Sequence, residues 1–236
     1  MRASAISHDN EQRMVRDFFE GAREGFFVEV GANEPFERSQ TWHLEQLGWT
    51  GVLIEPQPDL AVELVKARRA MVFPAACSGP EDAGRLMKLH VAGPLSSLRR
   101  DKMAPGSRPD AVIEVPVRTL NDILEEAHAP SPIDMLSIDV EGHELEVMRG
   151  FDFKRWRPRL IMLEDHVGDL SKHWYLQSSD YRLIRRVGNN GWYVPAGTKV
   201  QVSWAERWEI LRKYYLALPF RLARNASRAV RRLIKG

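Results

Sequence analysis

The sequence predicts an α/β fold in which helices flank a mostly parallel sheet. Between Phe26 and Cys77, short apolar runs alternate with amphipathic segments, and this strand–helix–strand rhythm is typical of parallel strands joined by right-handed crossovers. Further along, residues 181–187 and 192–194 flank a Gly-Asn-Asn-Gly loop, which indicates an antiparallel hairpin. We therefore expect a parallel sheet that closes with an antiparallel pair.

The first part of the chain supplies alternating helices and strands. Asp9 is a candidate N-cap, and Gln12 three residues later completes a capping-box pattern. Leu60, Leu64 and Val65 are expected to face inward from the third helix. In chain order, the predicted elements are a helix over residues 9–24, a strand over 26–30, a helix over 41–47, a strand over 51–55, a helix over 60–69 and a strand over 71–77.

Residues 80–118 interrupt this alternation. Two predicted strands, 85–91 and 111–118, bracket a segment rich in Gly, Pro and Ser, which we interpret as an insertion or lid over the strand ends. The later predicted elements are a helix over 121–127, a strand over 135–140, a helix that ends at Gly150, a strand over 159–165 and the hairpin. The predicted organisation is one domain over 1–204, which includes the lid, and a helical tail over 205–236.

Composition narrows the class of protein. The chain has 236 residues, 44% hydrophobic and 28% charged, which is ordinary for a globular domain with one substantial core. A single cysteine, Cys77, excludes an internal disulfide and suits a reducing compartment. No apolar run has the length of a membrane span, and residues 1–10 lack the apolar core of a signal peptide. We expect a cytoplasmic protein.

The predicted tail is basic and amphipathic. Residues 205–236 hold nine lysines and arginines against two acids (+7), which leaves −5 on the rest of a chain whose total is +2. Pro219 is expected to kink or split the tail. The apolar positions at helical spacing are Leu211, Tyr214, Tyr215, Leu218, Leu222, Val230 and Leu233, and the basic ones are Arg221, Arg224, Arg228, Arg231 and Lys235. This pattern favours peripheral contact with the inner surface of an anionic membrane, and packing on the domain or a homodimer contact are the alternatives. The acidic body argues against nucleic acid.

Four ionisable residues follow the most apolar strand. Asp139, Glu141, His143 and Glu144 come directly after the run that starts at Met135. Charged groups at the end of a buried strand are costly to desolvate, and ligands of open α/β sheets bind at the carboxyl ends of the strands. Asp139 is therefore a functional candidate. Glu141 and His143 fit a functional or a structural role equally, and Glu144 is expected to be a solvated first-turn residue.

Glu29 and Glu55 end the first two strands in the same way. An acid after the second strand of a Rossmann-type sheet accepts hydrogen bonds from the ribose hydroxyls of an adenosine, and Glu55 suits that role. The loop Gly31-Ala32-Asn33 lacks the glycines that cradle a pyrophosphate. This argues against NAD, FAD and nucleoside triphosphates and favours an adenosine ligand without a diphosphate, such as S-adenosylmethionine.

Several motifs resemble the FkbM family of S-adenosylmethionine-dependent methyltransferases. They are Phe27-Val-Glu-Val-Gly-Ala-Asn33, Leu53-Ile-Glu-Pro-Gln-Pro58, Ser96-Ser-Leu98, Val117-Arg-Thr-Leu-Asn-Asp122, Ile138-Asp-Val-Glu-Gly-His-Glu144 and Gly150-Phe-Asp152. The resemblance implies a Rossmann-like class I methyltransferase fold, with seven mostly parallel strands of which the last is antiparallel. It places Glu29, Gly31 and Asn33 around the methionine, Glu55 on the ribose, Cys77 and Ser78 near the adenine, and Asp139 near the sulfonium. The full cofactor-binding set is Glu29, Gly31, Ala32, Asn33, Glu55, Pro56, Cys77, Ser78 and Asp139.

The resemblance also implies transfer to a hydroxyl of a sugar, glycan or secondary metabolite. Transfer from a sulfonium needs alignment and a base, and we expect His143 or His166 as the base, with Asp139 or Glu141 to orient it. As an alternative, Asp139, Glu141, Asp165 and His166 would hold a divalent metal such as Mg²⁺. The competing functions are a non-catalytic S-adenosylmethionine-binding or membrane-docking protein that keeps the fold, and a metal hydrolase.

Overall fold

A computed structural model describes residues 2–101, 103, 108–168, 170–221 and 223–224, and for residues 2–9 it gives the backbone alone. The helices are α1 (Arg2–Phe18), α2 (Trp42–Glu45), α3 (Pro58–Ala67), α4 (Leu120–Glu126), α5 (Glu144–Arg149), α6 (Phe153–Trp156), α7 (Ser171–Ser178) and α8 (Trp204–Ile210). The strands are β1 (Phe26–Val30), β2 (Thr50–Ile54), β3 (Met71–Phe73), β4 (Ala76–Cys77), β5 (Leu86–Val91), β6 (Ala111–Arg118), β7 (Met135–Ile138), β8 (Leu160–Glu164), β9 (Tyr181–Val187) and β10 (Asn190–Pro195).

A seven-stranded sheet forms the centre of the molecule. Its order is β3-β2-β1-β7-β8-β10-β9, and β10 runs antiparallel to the other six strands. This is the sheet expected from the resemblance, so the predicted fold class is confirmed. Apolar side chains of alternate strand residues pack into separate cores on its two faces, with Val28 in one and Phe27 in the other.

The carboxyl ends of four parallel strands meet at one edge of this sheet. Val30 at the end of β1 pairs with Ile54 on one side and with Ile138 on the other, and Ile138 pairs with Leu163. The residues that follow these strands are therefore neighbours. The register explains why acids that are far apart in the sequence are brought together.

The predicted lid is a small sheet of order β4-β6-β5. The predicted strand over residues 71–77 is wrong in its length, because it divides into β3, which pairs with β2, and β4, which pairs with β6. Pro74 lies between them and has no N–H to continue the β2 ladder. The short strand β4 thereby leads the chain from the central sheet into the lid.

Two predicted features of the helices are wrong. Helix α1 begins at Arg2 rather than after an N-cap at Asp9, since no residue before Asp9 breaks a helix, and it ends at Phe18 because Glu20 and Gly21 adopt positive φ. In α3, Val65 is exposed, whereas Ala61 and Leu64 form the buried face. Leu64 is the fully buried residue of α3, and Val65 lies about 100° around the helix from it, toward solvent.

The tail continues from α8 into a π-helical segment, Leu211–Leu216, and residues 218–221 are again helical. The break falls at Ala217 rather than at Pro219, which occupies the first turn of the next helical piece, where a missing N–H costs little. Tyr214 is fully buried against Val167 and Leu170. The predicted positions Leu222, Arg228, Val230, Arg231, Leu233 and Lys235 lie outside the described residues. In the described part of the chain, no helix is both long and apolar enough to cross a bilayer.

Candidate active site

A cleft of about 540 Å³, its open mouth included, lies at the carboxyl edge of the central sheet. The ends of β1, β2 and β7 form one wall, and the lid forms the other. Its lining residues include Gly31, Asn33, Glu55, Pro56, Cys77, Asp139 and Glu141 from the predicted site, and Gly93, Pro94, Ser96 and Leu98 from the lid.

The loop after β1 requires glycine at its first position. Gly31 has φ +84°, and a Cβ there would lie 1.9 Å from the backbone oxygen of Asp139. The amides of Gly31 and Ala32 both donate to the Ile54 carbonyl, which fixes the loop over the end of β2. Ala32 points into the core, whereas Asn33, also at positive φ, borders the cleft. The loop therefore brings backbone, rather than side chain, close to any ligand beside Asp139.

Glu55 is held with both carboxylate oxygens oriented. The backbone N–H of Asn33 donates to Oε2 and that of Gln57 donates to Oε1, each over 2.9 Å. Burial raises the pKa of Glu55, and these two donors oppose the rise. The side-chain amide of Gln57 also donates to Oε1 over a longer 3.5 Å, whereas Oε2 retains a free lone pair. Glu55 therefore offers a fixed carboxylate acceptor at the wall of the cleft.

Glu29 does not line the cleft. Its carboxylate accepts from the Gln40 N–H at 2.7 Å and from the hydroxyls of Ser39 and Thr41, and Arg68 donates to both of those hydroxyls. Burial raises the pKa of Glu29, although these partners oppose the rise. The residue thus ties residues 39–41, which follow the loop after β1, to that strand.

His143 is buried beside the lid rather than in the cleft. Its Nε2 lies 3.0 Å from Ser78 Oγ, and Ser78 donates its only hydroxyl proton to Asp82 at 2.8 Å. The histidine must then donate through Nε2–H, which leaves the Nδ1 lone pair without a hydrogen bond. Burial lowers the pKa of His143. The Ser78–His143 pair joins the end of β4 to the loop after β7, while Cys77 beside it borders the cleft and burial raises its pKa to about 12.

Asp139, Glu141, Glu164 and His166 form a cluster next to the cleft. Ligand atoms of Glu141, Glu164 and His166 lie within 4.8 Å of one another, and His166 Nε2 is 3.3 Å from Glu164 Oε1. Sequence reasoning missed Glu164, although it is the last residue of β8 and Glu55 likewise stands at the carboxyl end of its strand. We had expected Asp165 at this place, but its Oδ1 accepts from the Val167 N–H at 2.7 Å and its side chain lies beside buried Tyr214.

The pKa values of the four cluster residues are shifted in different directions. Desolvation, followed by the charges of Glu164 and Glu141, raises the pKa of Asp139 well above its ordinary value. Burial acts in the same direction on Glu164, but His166 and Lys172 outweigh it and lower that pKa. A side-chain hydrogen bond between Asp139 and Glu164 raises the pKa of Asp139 and lowers that of Glu164. The hydrogen bond to Glu164 raises the pKa of His166, and desolvation raises that of Glu141 to about 7.

A second cleft adjoins the first and shares Glu141 with it. Arg99, Glu146, His166 and Lys172 are among its lining residues. Its wall depends on Glu144, which is buried rather than solvated as expected: Oε1 accepts from the Gly142 N–H at 2.7 Å and Oε2 from Lys172 at 3.1 Å. The two partners offset the cost of burying this carboxylate. A molecule in the second cleft would meet one in the first at Glu141.

The lid contacts the same loop. Ser97 is 1% exposed, and its hydroxyl donates to the Glu141 carbonyl at 2.7 Å. Ser97 also pairs with His90 of β5 through two backbone hydrogen bonds. The lid is therefore fastened to the residue that the two clefts share.

Comparison with protein families decides the class. A family model described as the methyltransferase FkbM domain matches residues 29–189, which is more than half of the chain. The chain belongs to the FkbM methyltransferase family. The matched FkbM region contains every residue named above that borders either cleft, whereas α1 and the tail lie outside it. A search of curated proteins finds no significant match. The chain is thus a methyltransferase by family, as the motifs predicted.

Proposed function

We propose that this methyltransferase uses S-adenosylmethionine to methylate a hydroxyl of a sugar, glycan or secondary metabolite. The observation that carries the proposal is the Glu55 carboxylate, held by two backbone N–H donors at the edge of a cleft that Gly31 opens. A carboxylate in this arrangement suits the adjacent hydroxyls of a ribose. The loop beside it has a single glycine and suits a ligand without a pyrophosphate.

The cofactor-binding residues of the proposal follow the two walls of the first cleft. Glu55 would bind the ribose, Pro56 and Cys77 would border the adenine, and Gly31 with Asn33 would approach the methionine. Three further residues would support the site without contacting the cofactor, since they are buried and hold the surrounding loops: Ala32, Ser78 and Glu29. Asp139 would lie at the junction with the second cleft. When bound, S-adenosylmethionine supplies a methyl group on a sulfonium that needs no further activation.

The second cleft is our proposed acceptor site, and Glu141 is the proposed base. Its pKa of about 7 lies near working pH, so that a useful fraction is both ionised and basic enough to take the hydroxyl proton while the oxygen bonds to the methyl carbon. His166, with its pKa raised by Glu164, would carry positive charge beside the developing alkoxide. His143 would hold the loop after β7 in place from outside the clefts, because its ring contacts Ser78.

A metal-assisted route is the alternative at the same cluster. Glu141, Glu164 and His166 offer two carboxylates and one imidazole, a donor set that Mg²⁺ or Mn²⁺ accepts. The ammonium of Lys172 lies close to this group and lowers the pKa of Glu164, and a nearby positive charge opposes a divalent cation. We therefore propose that Glu141 acts as the base without a metal. Turnover should then persist in the presence of EDTA.

Calorimetric titration with S-adenosylhomocysteine tests the cofactor site. Glu55→Gln keeps the shape but replaces one acceptor oxygen with an NH₂ donor, which would face a backbone N–H or a ribose hydroxyl. We expect at least about tenfold weaker binding, since a hydrogen bond to a charged group contributes about 1.5–3 kcal/mol. Glu63→Gln, on the exposed face of α3, is the matched control. Equal affinity of the Glu55→Gln variant and the wild-type protein would contradict the ribose assignment.

A further inference from the structure

Helix α8 and the tail residues that follow it expose large apolar side chains. Trp204 and Phe220 are 78% and 79% exposed, and Trp208, Leu211 and Leu216 are exposed as well. In chain order, the first four are separated by four, three and five residues, about one helical turn each, with the five-residue step across the π-helical segment. Phe220 lies in the next helical piece, after the break at Ala217. The indole rings of Trp204 and Trp208 are stacked, 6.0 Å apart and nearly parallel. We call these five residues the outer face.

The opposite side of the tail is fixed to the domain. Tyr214 is buried against Val167 and Leu170, and Ile210 and Leu218 pack beside it. The hydroxyl of Tyr215 lies 3.0 Å from His173 Nε2. Arg185 pairs with Glu206 at 3.0 Å. The outer face is therefore held in one orientation, away from the core that these contacts build.

Positive charge flanks the outer face. Arg207, Arg212 and Arg224 are exposed, and none of them has an ion pair within the residues that the structure describes. The sequence beyond residue 224 adds four basic residues and no acid. The tail as a whole carries +7 while the rest carries −5, so an anionic partner is attracted to the tail in particular.

We propose that the outer face and its flanking arginines dock the protein on the surface of an anionic lipid bilayer. Indole rings concentrate at the boundary between headgroups and acyl chains because one edge is polar and the body is apolar. Leu211, Leu216 and Phe220 supply apolar area that a bilayer buries and water does not favour. Each arginine near the surface adds attraction to anionic headgroups. Charge complementarity therefore selects an anionic membrane over a neutral one.

Sedimentation with lipid vesicles tests the proposal on the full chain. We expect binding to vesicles of phosphatidylglycerol and phosphatidylcholine, and little binding to phosphatidylcholine alone. The triple variant Trp204→Ser, Trp208→Ser, Phe220→Ser is expected to bind the anionic vesicles at least tenfold more weakly. Trp174→Ser, on α7, is the matched control, since that indole is 58% exposed but lies outside the outer face. A second triple variant, Arg207→Gln, Arg212→Gln, Arg224→Gln, should also lose affinity.

Three results would overturn the proposal. One is failure of the wild-type protein to bind anionic vesicles. Another is equal loss of binding in the Trp174→Ser control. The third is sedimentation equilibrium that shows a dimer which the aromatic triple variant dissociates, because the outer face would then bind a second copy of the chain. Titration with S-adenosylhomocysteine is expected to give the same affinity for the aromatic triple variant and the wild-type protein. A negative result in the vesicle test would therefore leave the proposed cofactor site unaffected, and a negative result in the cofactor test would leave the proposed membrane contact unaffected.

Discussion

At the scale of single residues, Gly31 sets how closely the loops after β1 and β7 approach. Gly31→Ala would place a methyl group 1.9 Å from the Asp139 carbonyl at a φ of +84°, so one loop must move. We expect a loss of roughly 1–3 kcal/mol in the free energy of unfolding and weaker S-adenosylhomocysteine binding. Urea unfolding and calorimetry measure the two effects. Gly197→Ala is the control, because a Cβ at Gly197 would lie in open space, and it should change neither the stability nor the affinity. Equal losses in the two variants would show that the close approach of Gly31 to Asp139 is not the cause.

Glu141 provides a second residue-scale prediction, which needs no acceptor. Its pKa is raised to about 7 in the folded chain, above the value of 4.5 that is usual for glutamate, so the folded state binds its proton more tightly than the unfolded state does. Stability is therefore lost as the pH rises from about 4.5 to 7. Glu141→Gln removes this loss, and its Tm should exceed that of the wild-type protein at pH 8 and approach it at pH 5. In the control variant Glu63→Gln, the difference in Tm from the wild-type protein should be the same at both pH values. If the difference for Glu141→Gln is also independent of pH, the pKa of Glu141 is not raised.

The positions of the site residues along the strands could be predicted from the sequence better than the directions in which their side chains point. Gly31, Glu55 and Asp139 follow buried strands, and strand order alone makes them neighbours. Glu29 occupies a similar position in its strand, yet Ser39, Gln40 and Thr41 take up its carboxylate, and no local pattern shows where that loop returns. The choice of Glu164 over Asp165 likewise depends on which side chain turns toward Glu141 and His166 at the end of β8.

At the scale of elements, the hydrogen bond from Ser97 to the Glu141 carbonyl joins the lid to the loop after β7. Ser97→Ala removes the donor to the Glu141 carbonyl, which we expect to cost about 1 kcal/mol of stability. The lid should open more often, so amides of β5 should exchange hydrogen faster and S-adenosylhomocysteine should bind several-fold more weakly. Ser178→Ala, whose hydroxyl bonds only within α7, should leave both measurements unchanged. Unaltered exchange in the Ser97→Ala variant would show that the lid is held by other contacts.

Periodicity predicted most elements but not those that depend on distant partners. Pro74 divides the predicted third strand because β4 finds its partner in β6, more than thirty residues later. In the tail, an apolar stripe of Leu211, Tyr214, Tyr215 and Leu218 was expected. The π-helical segment instead places Tyr214 and Leu218 against the domain and leaves Leu211 and Tyr215 exposed.

At the scale of the whole molecule, the tail makes two kinds of contact that salt should separate. Its inner contact centres on the burial of Tyr214 with Val167 and Leu170, and the ion pair beside it, Arg185 with Glu206, is partly buried and is therefore screened less than exposed charge. Its proposed outer contact depends on exposed arginines, and ions screen exposed charges over about 8 Å at physiological ionic strength and about 3 Å at 1 M. Raising the salt to 1 M should therefore release the protein from anionic vesicles while amide exchange in α8 stays slow. If exchange in α8 accelerates with salt to the same degree as vesicle binding is lost, the tail is held on the domain by charge, and the division between an apolar inner contact and a charged outer one is wrong.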